Sequence, residues 1–167
     1  MSPDEAPRDG SLAAAEKELT PTDVEAARDL RERLSTAVAF IVLLVVDVVL
    51  KLAGFQRFHG LVERLPVRSS GGAGPDAAVR IAAAVDRAST LYFKRAWCLQ
   101  RSAAAVCLMR LRGLPADLVI GVRRLPFYAH AWVEIEGVVV NDHPVVQTRF
   151  TVLDRCTAVQ EGDRCRH

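Results

Sequence analysis

Ala37 to Val46 is an unbroken run of ten apolar residues, continued as Asp47-Val48-Val49-Leu50-Lys51-Leu52-Ala53-Gly54. Upstream, Val24, Ala27, Leu30 and Leu34 recur at helical spacing behind Thr20-Pro21-Thr22-Asp23. There Thr20 suits a cap, Pro21 the first helical position and Asp23 the acid of a capping box. The pattern predicts a buried core helix ended by Gly54. Two alternatives stay open. Asp47 and Lys51 interrupt the run before the roughly 20 apolar residues that a membrane span needs, but a membrane-facing or partner-facing helix over residues 37–53 fits the same pattern. The β-branched richness from Val38 to Val49 also permits strand.

Further along, Arg57 to Leu65 reads as a short helix before Pro66, and Ser69-Ser70-Gly71-Gly72-Ala73-Gly74-Pro75 as a linker. Asp76 caps a helix to about Leu91, with Val79, Ala83 and Ala84 at core spacing. Another helix runs from about Trp97 to Arg112 and stops at Gly113, with Pro115 just beyond. The pattern then changes to strands at Asp117–Val122, Tyr128–Glu134 and Val138–Asp142, with Thr151-Val152-Leu153 a further candidate. Helices first and antiparallel strands afterwards indicate an α+β fold. Residues 1–19, rich in Ser, Pro, Asp, Glu and Gly, read as a tail. The expected organisation is this tail, a helical region over 20–68 and a core domain over 76–167.

Half of the 167 residues are hydrophobic, ample for one domain core. The formal net charge of +2, with no dense Lys/Arg stripe, gives no support for nucleic acid as a partner. Cys98 and Cys107, and Cys156 and Cys165, are spaced too widely for the short pairs of zinc sites, and nothing resembles a secreted disulfide framework. Residues 1–20 lack a basic region followed by an apolar run, so no signal peptide is read. The expected setting is a reducing cytoplasm, where a free thiolate survives.

The candidate chemistry rests on Cys98, His130 and Asp142. A cysteine in the first turn of a helix meets unpaired N–H groups and the positive end of the dipole, which favour thiolate. Cys107 lies mid-helix among Ala104, Ala105, Val106 and Leu108 and reads as core. If Ile135-Glu136-Gly137 is a three-residue hairpin loop, Glu134 pairs with Val138, Trp132 with Val140 and His130 with Asp142. A two-residue loop, Glu136-Gly137, instead sets His130 opposite His143 and turns Asp142 to the other face. A metal site from Cys98, His130, Asp142 and His143 lacks paired short spacing. Ser102 has no nucleophile motif around it. Trp132 and Phe127 read as core or pocket wall, and Glu134 and Glu136 as the solvated end of a hairpin.

The stretches Trp97-Cys98-Leu99-Gln100-Arg101-Ser102, Arg112-Gly113-Leu114-Pro115-Ala116-Asp117-Leu118-Val119-Ile120-Gly121-Val122, Ala129-His130-Ala131-Trp132-Val133-Glu134 and Val140-Asn141-Asp142 resemble those of the lasso-peptide leader peptidases. These are the B-proteins of lasso-peptide biosynthesis or their stand-alone C-terminal peptidase halves, and the catalytic domain is similar to transglutaminases within the papain-like folds. The resemblance runs from roughly Asp76 to Arg155. It implies Cys98 as nucleophile, His130 as general base and Asp142 as orienting acid, with no cofactor or metal. It also implies a leader–core precursor peptide as substrate and an ATP-using lasso cyclase as the next enzyme. Residues 1–75 show helix and linker where a fused winged-helix leader-binding domain would need strands, so that domain is expected as a separate protein. Two rival readings are an acyltransferase using the same triad, and a non-catalytic scaffold held at a membrane or partner by residues 37–53.

Overall fold

The computed structural model describes residues 21–67, 74–93 and 96–158. The expected tail, the Thr20 cap, most of the Ser69–Pro75 linker and Cys165 lie outside them. The apolar N-terminal region forms one long helix, α1 (Pro21–Arg64), interrupted at Gly54, whose φ of 76° and ψ of 169° are non-helical. Glycine adopts this left-handed φ without the Cβ clash that penalises other residues. The strand alternative for Val38 to Val49 is therefore set aside. Then come α2 (Pro75–Leu91) and α3 (Cys98–Leu111), followed by the strands β1 (Ala116–Arg123), β2 (Tyr128–Ile135), β3 (Val138–Val139) and β4 (Thr151–Cys156). A short helix that the sequence pattern did not indicate, α4 (Val146–Arg149), precedes β4.

The strands form an antiparallel sheet in the order β3-β2-β1-β4. Alternation along the strands gives it two faces. Leu118, Ala131 and Val133 face the helices and join one core with Ala39, Leu43 and Val46 of α1, Ala78 and Val85 of α2, and Ala103 and Val106 of α3. Val119 and Trp132 pack on the other face with Val146, beside Val139 and Phe150. Buried Arg110 ties the layers together. Its guanidinium donates to the carbonyls of Ala116 at 2.8 Å, Val62 at 2.6 Å and Cys156 at 2.8 Å, joining β1, α1 and β4 to α3. Carbonyl acceptors on all three nitrogens meet the demand of a buried donor group.

The hairpin register corrects one expectation. Ile135 pairs with Val138 and Glu134 with Val139, so the loop is the two-residue Glu136-Gly137. Both loop residues have positive φ, 51° and 80°, as a type I′ turn requires, and that turn matches the twist of the flanking strands. β3 ends after two residues, short of the expected Val138–Asp142. Glu134 is not solvated either: it is 2 % exposed, accepting from Trp132 Nε1 at 2.7 Å and Gln147 Nε2 at 3.0 Å and lying 2.7 Å from Arg155 Nη2. Val79 is 62 % exposed, because the buried face of α2 runs through Ala78, Ala82, Val85 and Ala88 instead. Phe127 is also exposed, at the tip between β1 and β2, whereas Trp132 is fully buried.

Candidate active site

Cys98 is the first residue of α3, and Trp97 is its N-cap. The Trp97 N–H donates to Gln100 Oε1 at 2.9 Å, which closes the start of the helix. Gln100 Nε2 in turn reaches buried Asp47 of α1 at 3.4 Å, so the apolar helix also supports the turn that carries the thiol. At the first helical position the Cys98 N–H has no intrahelical acceptor.

His130 stands near the start of β2, directly across from Gly121 of β1. A Cβ at Gly121 would lie 2.7 Å from the Trp132 ring and 2.8 Å from Phe150 Cβ, so only glycine leaves room for these aromatics beside the histidine. Phe150 packs on the imidazole at 5.2 Å between centroids, and Trp132 and Tyr128 stack along the same strand face at 6.2 and 6.3 Å. The ring is held between them.

His130 Nε2 lies 2.7 Å from Asp142 Oδ2. The ladder does not produce this contact, since its two-residue register points to His143 as the partner of His130. The chain leaves the ladder after Val140, whose N–H still donates to the Val133 carbonyl at 3.0 Å. The next rung is made by a side chain, as Asn141 Oδ1 accepts the Val133 N–H at 2.7 Å. This swap lets the backbone bend, and Asp142 swings round to the imidazole. The Asp142 carboxylate is steadied by the His143 N–H, 2.7 Å from Oδ1.

The same departure frees the edge of β2 at Ala131, and α3 takes it. The Ala131 N–H favours the anion of the Cys98 thiol. The Ala131 carbonyl accepts from Ser102 Oγ at 2.8 Å, and Ser102 Oγ accepts from Asn141 Nδ2 at 2.9 Å. Ser102 is thus a buried strut, and Asn141 joins the bend to it. Neither role shows in residue spacing. The one signal in the chain is a polar residue one turn after the cysteine, directly ahead of the apolar run from Ala103 to Met109.

Burial of the Cys98 thiol disfavours its anion, but the influence of the His130 ring and its charge and of the N–H groups of Ala131 and Leu99 outweighs it. The thiol is held below its ordinary value of 9.0. The His130 pKa is raised, first by Cys98 and then by Asp142, against the opposing effect of burial. With Nε2 on Asp142, the buried Nδ1 is the nitrogen left for the sulfur. The three residues named from the sequence therefore come together, with Asp142 on the His130 ring and Cys98 and His130 shifting each other's pKa. Cys107 is different: burial pushes its thiol up to about 11, and burial also raises that of Cys156.

His143, the fourth residue of the metal site that the spacing disfavours, accepts from the Val145 N–H through Nδ1 at 3.2 Å. A separate group, His59, Glu63 and Cys156, brings ligand-type atoms within 4.8 Å of one another. There the Arg110 guanidinium sits on Cys156 and already supplies positive charge, so the cluster does not call for a cation.

A protein of known role shares a segment of this sequence. The chain is 45 % identical over 56 residues to the Microcin J25-processing protein McjB of Escherichia coli, a match covering 34 % of this chain and 27 % of that protein. The chain thus spans about a quarter of the length of this relative. No solved structure matches. The profile of the transglutaminase-like superfamily matches residues 40–155, from the middle of α1 to the end of β4. With more than half of its residues in that match, the chain belongs to the transglutaminase-like superfamily.

Proposed function

We propose that this protein is a cysteine peptidase that removes the leader from a ribosomally made lasso-peptide precursor. The arrangement of Cys98, His130 and Asp142 carries the reading, with the His130–Asp142 contact at 2.7 Å as its firmest distance. The substrate class is supported by the similarity to a microcin-processing protein.

In this reading the Cys98 thiolate attacks the carbonyl at the leader–core junction. The Cys98 N–H, free at the start of α3, donates to the oxyanion, and the N–H groups of Ala131 and Leu99 favour the thiolate. His130 gives its proton to the departing amine of the core peptide while Asp142 keeps the ring oriented. The leader remains as a thioester until water, deprotonated by His130, releases it as a free acid. Exposed Trp97 on one side, and Leu125, Phe127 and Tyr128 on the other, give the site an apolar rim for the peptide. The freed core amine passes to an ATP-using cyclase, and a separate winged-helix protein presents the leader, in a reducing cytoplasm. The superfamily match equally suits a second reading, transfer of the same thioester to an amine.

The test supplies a cognate precursor and its leader-binding partner to the wild type and to Cys98→Ala, His130→Ala and Cys107→Ala, with products read by mass spectrometry. Cleavage is expected to vanish in the first two variants and persist in the third. Full cleavage by Cys98→Ala would remove the proposal. A free leader acid marks hydrolysis, and an amide-linked leader marks transfer.

A further inference from the structure

The largest feature outside the candidate site is the outer face of α1. Leu34, Val38, Ile41, Val45, Val48 and Leu52 are all exposed, at alternating steps of four and three residues, the a and d spacing of a helix–helix seam. Leu30, Ala37 and Leu44 widen one flank of this stripe. On the opposite face Ala39, Leu43 and Val46 are buried in the core with α2 and α3, so the stripe points away from the sheet.

We propose that the stripe is a homodimer interface, in which α1 helices from two copies pack antiparallel about a two-fold axis. Area is the first argument. Eight large aliphatic residues between Leu30 and Leu52 are each 38–82 % exposed on this side of α1, and a standard interface takes roughly 800 Å² from each partner. Spacing is the second. The steps read the same in both directions, so a two-fold axis sets Leu34 against Leu52, Val38 against Val48 and Ile41 against Val45 of the second copy. Protrusion is the third. The most protruding residue of the stripe, Leu52 at 82 % exposure, lies at one end. Antiparallel pairing sets it against Leu34 of the second copy, whereas parallel pairing stacks Leu52 on Leu52.

The same stretch, Thr22–Arg64, is long and apolar enough to cross a membrane by length and composition, which makes a bilayer the rival occupant. Charge favours the second copy. Around the stripe Arg28 pairs with Glu32, Arg33 with Asp29 and Lys51 with Asp47, which takes up basic groups that an interfacial helix uses on anionic headgroups.

The experiment is sedimentation equilibrium on the full chain. The expected mass is twice the chain's 18.3 kDa, and Ile41→Glu and Leu52→Glu are expected to sediment as monomers with unchanged circular dichroism. Combining Leu34→Glu with Leu52→Lys in one chain is expected to restore the dimer, because antiparallel pairing puts these positions opposite each other. A wild-type monomer at concentrations up to about 100 μM, where even a weak dimer would form, overturns the proposal. So does a dimer that survives Ile41→Glu. Co-sedimentation of a monomeric wild type, but not of Ile41→Glu, with phosphatidylglycerol–phosphatidylethanolamine vesicles would assign the face to the membrane instead.

Discussion

Cys98 and Ser102 stand one helical turn apart on α3 and divide between them the backbone of a single strand residue. The N–H of Ala131 favours the Cys98 thiolate, and Ser102 Oγ donates to the Ala131 carbonyl at 2.8 Å. α3 thus occupies the place along β2 that β3 vacates when the chain bends at Asn141. The seat that positions the thiol is therefore built partly by a serine with no chemical role in the proposed reaction.

Ser102→Ala is expected to leave the Ala131 carbonyl and Asn141 Nδ2 short of a buried partner. The cost is roughly 1–3 kcal/mol, read as a lower urea midpoint at unchanged m-value. The turnover rate should fall as well, because the first turn of α3 loses its contact with β2. Wild-type stability in this variant would show the strut to be unimportant.

Asp142→Asn keeps the shape beside His130 but removes the negative charge that helps hold its proton. The proposed reaction needs the thiolate, present above the lowered Cys98 pKa, and the imidazolium, present below the raised His130 pKa, so the rate profile should be bell-shaped. In the variant the alkaline limb should move to lower pH, with a rate loss of roughly 10²–10⁴, the scale seen when a serine triad loses its acid. An alkaline limb that stays in place would argue that Asp142 does not act on the histidine charge.

Thiol reactivity should separate the cysteines. With Cys107 near 11 against an ordinary 9.0, its thiolate fraction at neutral pH is roughly 100-fold below that of an unperturbed thiol. Limited iodoacetamide at pH 7 followed by peptide mass mapping should label Cys98 ahead of Cys107 and Cys156, which react only after unfolding. Equal labelling of Cys98 and Cys107 in the folded protein would contradict the assigned environments.

Glu134 offers a test away from the proposed chemistry. Burial alone would raise its pKa, but hydrogen bonds from Trp132, Gln147 and Arg155 hold the carboxyl below its usual 4.5. Its contribution to stability is therefore complete above pH 4.5 and is lost as pH falls through the lower folded value. Glu134→Gln should cost about 1–3 kcal/mol at neutral pH. In paired denaturant titrations the gap to the wild type should shrink in acid. A gap independent of pH would point to packing rather than charge.

The sequence by itself determined the elements and the residue types of the candidate site. Helical spacing, the Gly54 and Gly113 stops and the shift to alternating strands are local signals, and the helices and strands follow them. The placement of Cys98 at a helix start is local too, since it depends on the turn that Trp97 and Gln100 close. What the tertiary structure decided is non-local. The glycine-ended hairpin suggested that His130 and Asp142 would meet across a three-residue loop. They meet through a two-residue loop because Asn141 replaces a ladder bond with its side chain and needs Ser102, 39 residues earlier, to hold it there. Burial of Glu134 likewise depends on Gln147 and Arg155, and exposure of the α1 stripe depends on which face α2 and α3 cover. Hydrophobic period tells that a face is apolar. Only the packing of distant segments tells whether anything covers it.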